Sequence, residues 1–227
     1  MQNGGFVGGL YRISEWIMRF AYLNLLWIFF TIVGIIIIGV APATTAMFNV
    51  VRKWIRNGSD IPVFRTFWSA YRSEFIRANL FGLILFFLGY ILYIDFIFIT
   101  NLDGMLGLLL NVALLLVLMF YVIVILYIFP VFVHYQLKIF QYFKYAIVIG
   151  ISFPLRTIMM AVSVFVIYQL SIHIQGLILF FSVSSLSFVI TWITYGAFLK
   201  IEEKQQNGKN KEQVSTIGYD NLKKSDR

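Results

Sequence analysis

The sequence predicts an all-α protein: a polytopic membrane helical bundle of about five transmembrane helices, linked by amphipathic interfacial helices. Three observations carry that reading. Of the 227 residues, 60% are hydrophobic and 12% charged, against roughly a quarter charged in an ordinary soluble domain. Long stretches contain no Asp, Glu, Lys or Arg, and lipid is the solvent that tolerates so much apolar surface. The basic residues fall between those stretches, in alternate segments.

A spanning helix needs about 20 mostly apolar residues. The first span is expected over 20–40, ending before Pro42, because no acidic or basic residue occurs from Phe20 to Val51. The second covers 78–99 and contains Asp95 near its far end. The third covers 105–132, with Pro130 kinking its exit. The uncharged stretch from Thr157 to Leu199 is about twice too long for one crossing. It folds back at the polar run Ser171 to Gly176, giving spans over 155–172 and 177–199. Residues 1–199 thus form one membrane domain. Residues 200–227 form a polar cytoplasmic tail, expected to be disordered beyond its first turn. No cleavable leader is expected, since Met1 to Leu10 carries no basic residue.

Orientation follows from lysine and arginine. Arg12 and Arg19 precede the first span, whereas the other sixteen basic residues fall in the 1–2 loop, the 3–4 loop and the tail. Five spans put those three segments on one face, so the amino end is expected outside and the carboxyl end cytoplasmic.

The segments between spans are amphipathic. Before the first span, Ile13, Trp16, Ile17 and Phe20 share one helical face, and Arg12, Glu15 and Arg19 another. After Pro42, Met47, Val50, Val51, Trp54 and Ile55 form a stripe opposed by Arg52, Lys53 and Arg56. Asp60 is placed to cap a third helix carrying Phe64, Phe67, Trp68, Tyr71 and Phe75, with Arg65 and Arg72 among them. In the 3–4 loop, Ile139, Phe140, Phe143 and Ile147 oppose Lys138, Gln141 and Lys144. Such helices suit an anionic cytoplasmic leaflet. Arg52, Lys53, Arg56, Arg65 and Arg72 are the candidates for contacting lipid headgroups or a cytoplasmic partner.

Inside the apolar region, Asp95 is the single acid; it is expected to pair with Arg19 or Arg12, with a proton- or solute-binding group of a transporter as the alternative. Arg156 is expected to reach the headgroups. Asn24 and Asn79 are expected to hydrogen-bond across helices. Ser184, Ser187, Thr191 and Thr194 recur at spacings of three, four and three, which suits a helix-packing face and leaves a solute path as the alternative.

Several functions are excluded or unsupported. Without cysteine there are no disulfides, thiolate metal sites or cysteine nucleophiles. The glycine run from Gly4 to Gly9 lacks the Lys-Ser/Thr of a phosphate loop. No metalloprotease or serine-hydrolase motif occurs, so no enzyme activity and no cofactor are expected. The net charge of +8 is distributed for lipid rather than nucleic acid.

The runs Arg12-Ile13-Ser14-Glu15-Trp16-Ile17 and Ala21-Tyr22-Leu23-Asn24-Leu25-Leu26-Trp27 resemble the opening of the YesL family. Pro42-Ala43-Thr44-Thr45-Ala46-Met47-Phe48, Arg52-Lys53-Trp54, Asp60-Ile61-Pro62-Val63-Phe64, Thr66-Phe67-Trp68 and Ala78-Asn79-Leu80 extend the resemblance over the first third. Beyond it, Pro154-Leu155-Arg156-Thr157 agrees as well. Members are bacterial integral membrane proteins of unestablished molecular function, often encoded beside carbohydrate importers. The resemblance implies an accessory or regulatory protein linked to carbohydrate uptake, with importer subunits as partners. A small solute transporter, oligomeric with itself, and an envelope-polysaccharide scaffold or sensor are the alternatives.

Overall fold

The computed structural model describes residues 6–58 and 60–225, so the first glycines of the 4–9 run and the last two residues of the tail lie outside the described residues. Among the described residues every regular element is helical: α1 Phe6–Val33, α2 Ile37–Asn57, α3 Val63–Ser73, α4 Phe75–Thr100, α5 Gly104–His134, α6 Ile139–Ser152, α7 Pro154–His173, α8 Gln175–Phe180 and α9 Ser182–Ser225. Five of these, α1, α4, α5, α7 and α9, contain segments long and apolar enough to cross a membrane. The expected class and number of such helices therefore hold, but several boundaries move.

The largest change is at the first span. The chain reverses at Gly34, Ile35 and Ile36 rather than continuing to Val40, and Pro42 lies inside α2 instead of ending a helix. There Pro42 leaves the Ile38 carbonyl without its helical amide partner, so α2 forgoes one hydrogen bond near its start. The two arms are antiparallel. Trp16 meets Trp54 edge-on at 5.7 Å, and Trp27 Nε1 donates to Thr44 Oγ1 at 3.0 Å. Nearer the tip, Gly34 and Gly39 bring the backbones so close that a Cβ on Gly39 would sit 2.3 Å from the Thr31 carbonyl oxygen.

α2 is the central helix. Its expected stripe of Met47, Val50, Val51 and Trp54 is buried, but against protein rather than headgroups. Ala41 lies against Gly82 of α4, and Phe48 stacks on Phe129 of α5 at 5.6 Å. Because protein surrounds it, α2 needs less hydrophobicity than a helix facing lipid, and hydropathy alone does not mark it as a crossing element.

The remaining legs alternate in direction. α4 and α5 run antiparallel, with Phe81 against Phe132 at 4.9 Å and Tyr121 Oη donating to the Leu85 carbonyl at 3.0 Å. α6 follows α5 back, Gly150 lying against Ile123 and Tyr127, so it is a packed helix and not an interfacial one. Its buried face is Tyr142, Ala146, Ile149 and Gly150, while Phe140 is exposed. The break at Phe153-Pro154 starts α7, which pairs antiparallel with α9 through Arg156 Nη1 to the Ile193 carbonyl at 3.1 Å and Ser171 to Ser182 at 2.8 Å. Arg156 thus staples two helices instead of reaching the headgroups.

Two further expectations are corrected. Asp60 does not cap α3, whose N-cap position is Pro62. α9 stays helical through Ser225 rather than ending in a disordered tail. No proline follows Pro154, and Glu, Lys and Gln between 202 and 213 all tolerate a helix well.

Candidate functional site

On α2, Thr45, Asn49 and Arg52 recur at spacings of four and three, so they share one helical face. That face looks onto a cavity of about 240 Å³, whose other walls are Glu74 at the α3–α4 junction and Phe132 to Gln136 at the end of α5. Each element delivers its residue for a local reason. Glu74 sits where α3 stops and α4 starts, and His134 is the last residue of α5, with Tyr135 already extended.

The cavity is rich in unsatisfied polar atoms. Arg52 Nε, Glu74 Oε2, His134 Nδ1 and Tyr135 Oη are all buried without a hydrogen-bond partner in the protein. Buried polar groups are ordinarily paired, and an unpaired one costs about 1–3 kcal/mol. Four such atoms around one small space mark it as a place for polar occupants, with room for about eight waters at ~30 Å³ each.

Charges at the site are nearly balanced. Burial, and next the neighbouring Arg56 charge, pull the Arg52 pKa below its ordinary value. The Tyr135 phenol is pushed up to about 12, first by burial and then by the negative charge of Glu202. The His134 ring packs on Phe198 at 4.3 Å and meets Glu202 Oε1 at 3.0 Å through Nε2. With a carboxylate accepting, Nε2 carries the hydrogen, so a neutral ring leaves Nδ1 as a buried acceptor without a protein partner. The walls therefore offer donors from Arg52 and Tyr135 and acceptors from Glu74 and His134. This set can hold a small polar molecule or water by hydrogen bonds. Among the described residues no cluster of His, Asp and Glu suits a metal ion.

The sequence-selected residues fall elsewhere, Arg52 excepted. Lys53, Arg56, Arg65 and Arg72 are exposed. Arg19 does not pair with Asp95. Its guanidinium donates to Glu15 and, at 2.9 Å, to Asp60. Arg12 is exposed, and half-buried Asp95 makes no salt bridge among the described residues. The pairing fails because α2 carries Asp60 back to Arg19, while Asp95 sits near the far end of α4. Ser184, Ser187, Thr191 and Thr194 are buried, and each hydroxyl donates to a carbonyl of its own helical stretch. They lie on a buried face, with each hydroxyl's hydrogen committed to a backbone carbonyl. Asn24 does bridge helices, donating to the Leu179 carbonyl at 2.7 Å and accepting from the Ser184 amide at 3.1 Å. Asn79 instead bonds the Phe75 carbonyl of its own helix.

Sequence reasoning missed Thr45, Asn49, Glu74, Tyr135 and Gln136. The four-and-three spacing of Thr45, Asn49 and Arg52 was a usable signal. The contributions of Glu74 and Tyr135 were not, since each depends on which helix ends meet.

Comparison with known proteins fits the geometry. The family model described as "Protein of unknown function, DUF624" matches residues 20–96, the stretch that holds the α1–α2 hairpin, α3 and most of α4. The chain is 36% identical over 219 residues to uncharacterized protein YteU of Bacillus subtilis (strain 168), covering 96% of this chain and 98% of that protein. It is 35% identical over 201 residues to uncharacterized protein YesL of the same organism, covering 88% and 95%. With uncharacterized protein YesV, also from that organism, identity is 33% over 193 residues, covering 85% and 93%. No solved structure matches the chain. Shared sequence over nearly the whole length of all three relatives places this multi-pass membrane protein in the YesL-like DUF624 family.

Proposed function

We propose that the chain is a non-enzymatic accessory or regulatory membrane protein linked to carbohydrate uptake, with its carboxyl end in the cytoplasm. The observation that supports an accessory role is where the free polar atoms lie. Four of the six found among the described residues belong to residues lining one cavity, at the end of the bundle that also carries Arg56 and Glu202. The α9 hydroxyls are buried and donate to backbone carbonyls, which leaves them no free donor to line a path. The link to carbohydrate rests on the family resemblance alone.

Affinity isolation from native membranes tests this reading. Importer subunits recovered at fixed stoichiometry with the tagged chain are the expected result. The second reading, a small solute transporter, draws on the same cavity, because four buried polar atoms without a hydrogen-bond partner could bind a solute, Glu74 Oε2 among them although Arg77 stands 3.9 Å away. Solute flux through liposomes containing this chain alone, lost on Arg52→Gln or Asp95→Asn, would establish that reading and overturn the first.

A further inference from the structure

The turn joining α1 to α2 has an unusual composition for a loop. From Ile32 to Ala43 no residue carries a polar side chain. The tip is exposed all the same, Ile35 by 77% and Ile37 by 88%. Its backbone makes up for the missing polar side chains. The amides of Gly34, Ile35 and Ile36 donate to the carbonyls of Phe30, Ile32 and Thr31 at 3.0, 3.0 and 2.8 Å, and that of Ile37 to Ile35 at 2.6 Å. In water such sealing would gain little. In hydrocarbon it is required, since nothing else can satisfy the amides.

The arms give the depth. From Arg19 to Gly34 on α1, and from Ile37 to Arg52 on α2, the chain advances fifteen residues, roughly 22 Å at 1.5 Å per residue. A bilayer's hydrocarbon is about 30 Å thick. Charge marks the level where the paired arms part: Arg19 meets Asp60 just past the end of α2, while α1 itself starts earlier, at Phe6. α4, beside Ala41 at Gly82, runs on for eighteen more residues to Thr100.

We propose that α1 and α2 form a re-entrant hairpin that enters and leaves the membrane by one face, its isoleucine tip covered by lipid acyl chains. The amino end then lies on the same face as the carboxyl end, and not opposite it as the alternation of five spans suggested. Arg12 and Arg19, the two exceptions in the charge count, join the basic residues of the loops and tail, Arg156 alone being held between α7 and α9. The far turn 101–103 carries none, and neither does the turn 174–181, whose Leu179 carbonyl is held by Asn24 of α1. A complete segregation of lysine and arginine is what the positive-inside rule favours.

The chain has no cysteine, so single cysteines can be read without background. Arg12→Cys, Lys204→Cys, Asn101→Cys and Ile37→Cys variants of the full chain would be treated with a membrane-impermeant maleimide in sealed vesicles of each orientation. Arg12→Cys and Lys204→Cys should react from one side and Asn101→Cys from the other. Ile37→Cys should react only after detergent. A bimane on Ile37→Cys should be quenched more by phospholipid carrying a nitroxide deep in the acyl chain than by one carrying it at the headgroup. Reaction of Arg12→Cys from the Asn101 side would overturn the topology, as would ready labelling of Ile37→Cys from that side. Absence of lipid quenching together with Ile37–Ile37 cysteine cross-linking would show a second copy on the tip and overturn the lipid assignment. Should Ile37→Cys fail to fold, Ile38→Cys, also exposed, serves the same measurements.

Discussion

Asn24 shows what one polar side chain does in an apolar bundle. Its amide joins α1 to the Leu179 carbonyl and to the first turn of α9. Asn24→Leu should lower stability in detergent by about 1–3 kcal/mol, because it strands a buried amide and a carbonyl. Asn79→Leu should cost less, since its bond stays within α4. Paired thermal unfolding curves would show the difference. Tyr135 makes the opposite case. Its hydroxyl is buried without a partner, so Tyr135→Phe should leave stability unchanged or raise it by up to about 1 kcal/mol. A fall instead would show that an ordered water or ligand holds the hydroxyl in the folded protein.

At the scale of elements, the α1–α2 hairpin and its glycines dominate. A methyl group on Gly39 would meet the Thr31 carbonyl oxygen at 2.3 Å and the Thr31 Cα at 2.9 Å, both backbone atoms that cannot turn aside. Gly39→Ala should therefore pry the arms apart, at a cost of about 1–3 kcal/mol or more. Gly176→Ala, with nothing within 4 Å, should be nearly silent. Melting both variants in the same detergent tests the pairing. The turn itself holds Ile35 at φ 60° and Ile36 at φ 52°, a region that β-branched residues rarely enter, at roughly 1–3 kcal/mol each. The apolar setting accounts for the choice: glycine or asparagine would relieve the strain but give up contacts with lipid.

For the molecule as a whole, charge distribution and packing must agree on one orientation. Putting lysines on a lysine-free turn, as in Asn101→Lys with Leu102→Lys, sets the two against each other. The fraction of chain whose Lys204→Cys label is reached only from the inner side should fall by several-fold. Vesicle labelling of the quadruple comparison, with and without the lysines and in both orientations, measures it.

The composition, the uncharged stretches and the alternating basic segments were enough to determine an all-helical membrane protein with five helices able to cross, because lipid imposes length and apolarity on any helix it surrounds. The stripe of Met47, Val50, Val51 and Trp54 was equally legible, since helical periodicity does not depend on what covers it. What covers it did. α2 is shielded by α1, α4, α5 and α9, so its moderate hydropathy hid a return leg, and with it the meeting of Arg19 with Asp60. The polar cavity has the same origin. Arg52, Glu74, His134 and Tyr135 come from separate helix ends, and only the packing of those ends brings them around one space.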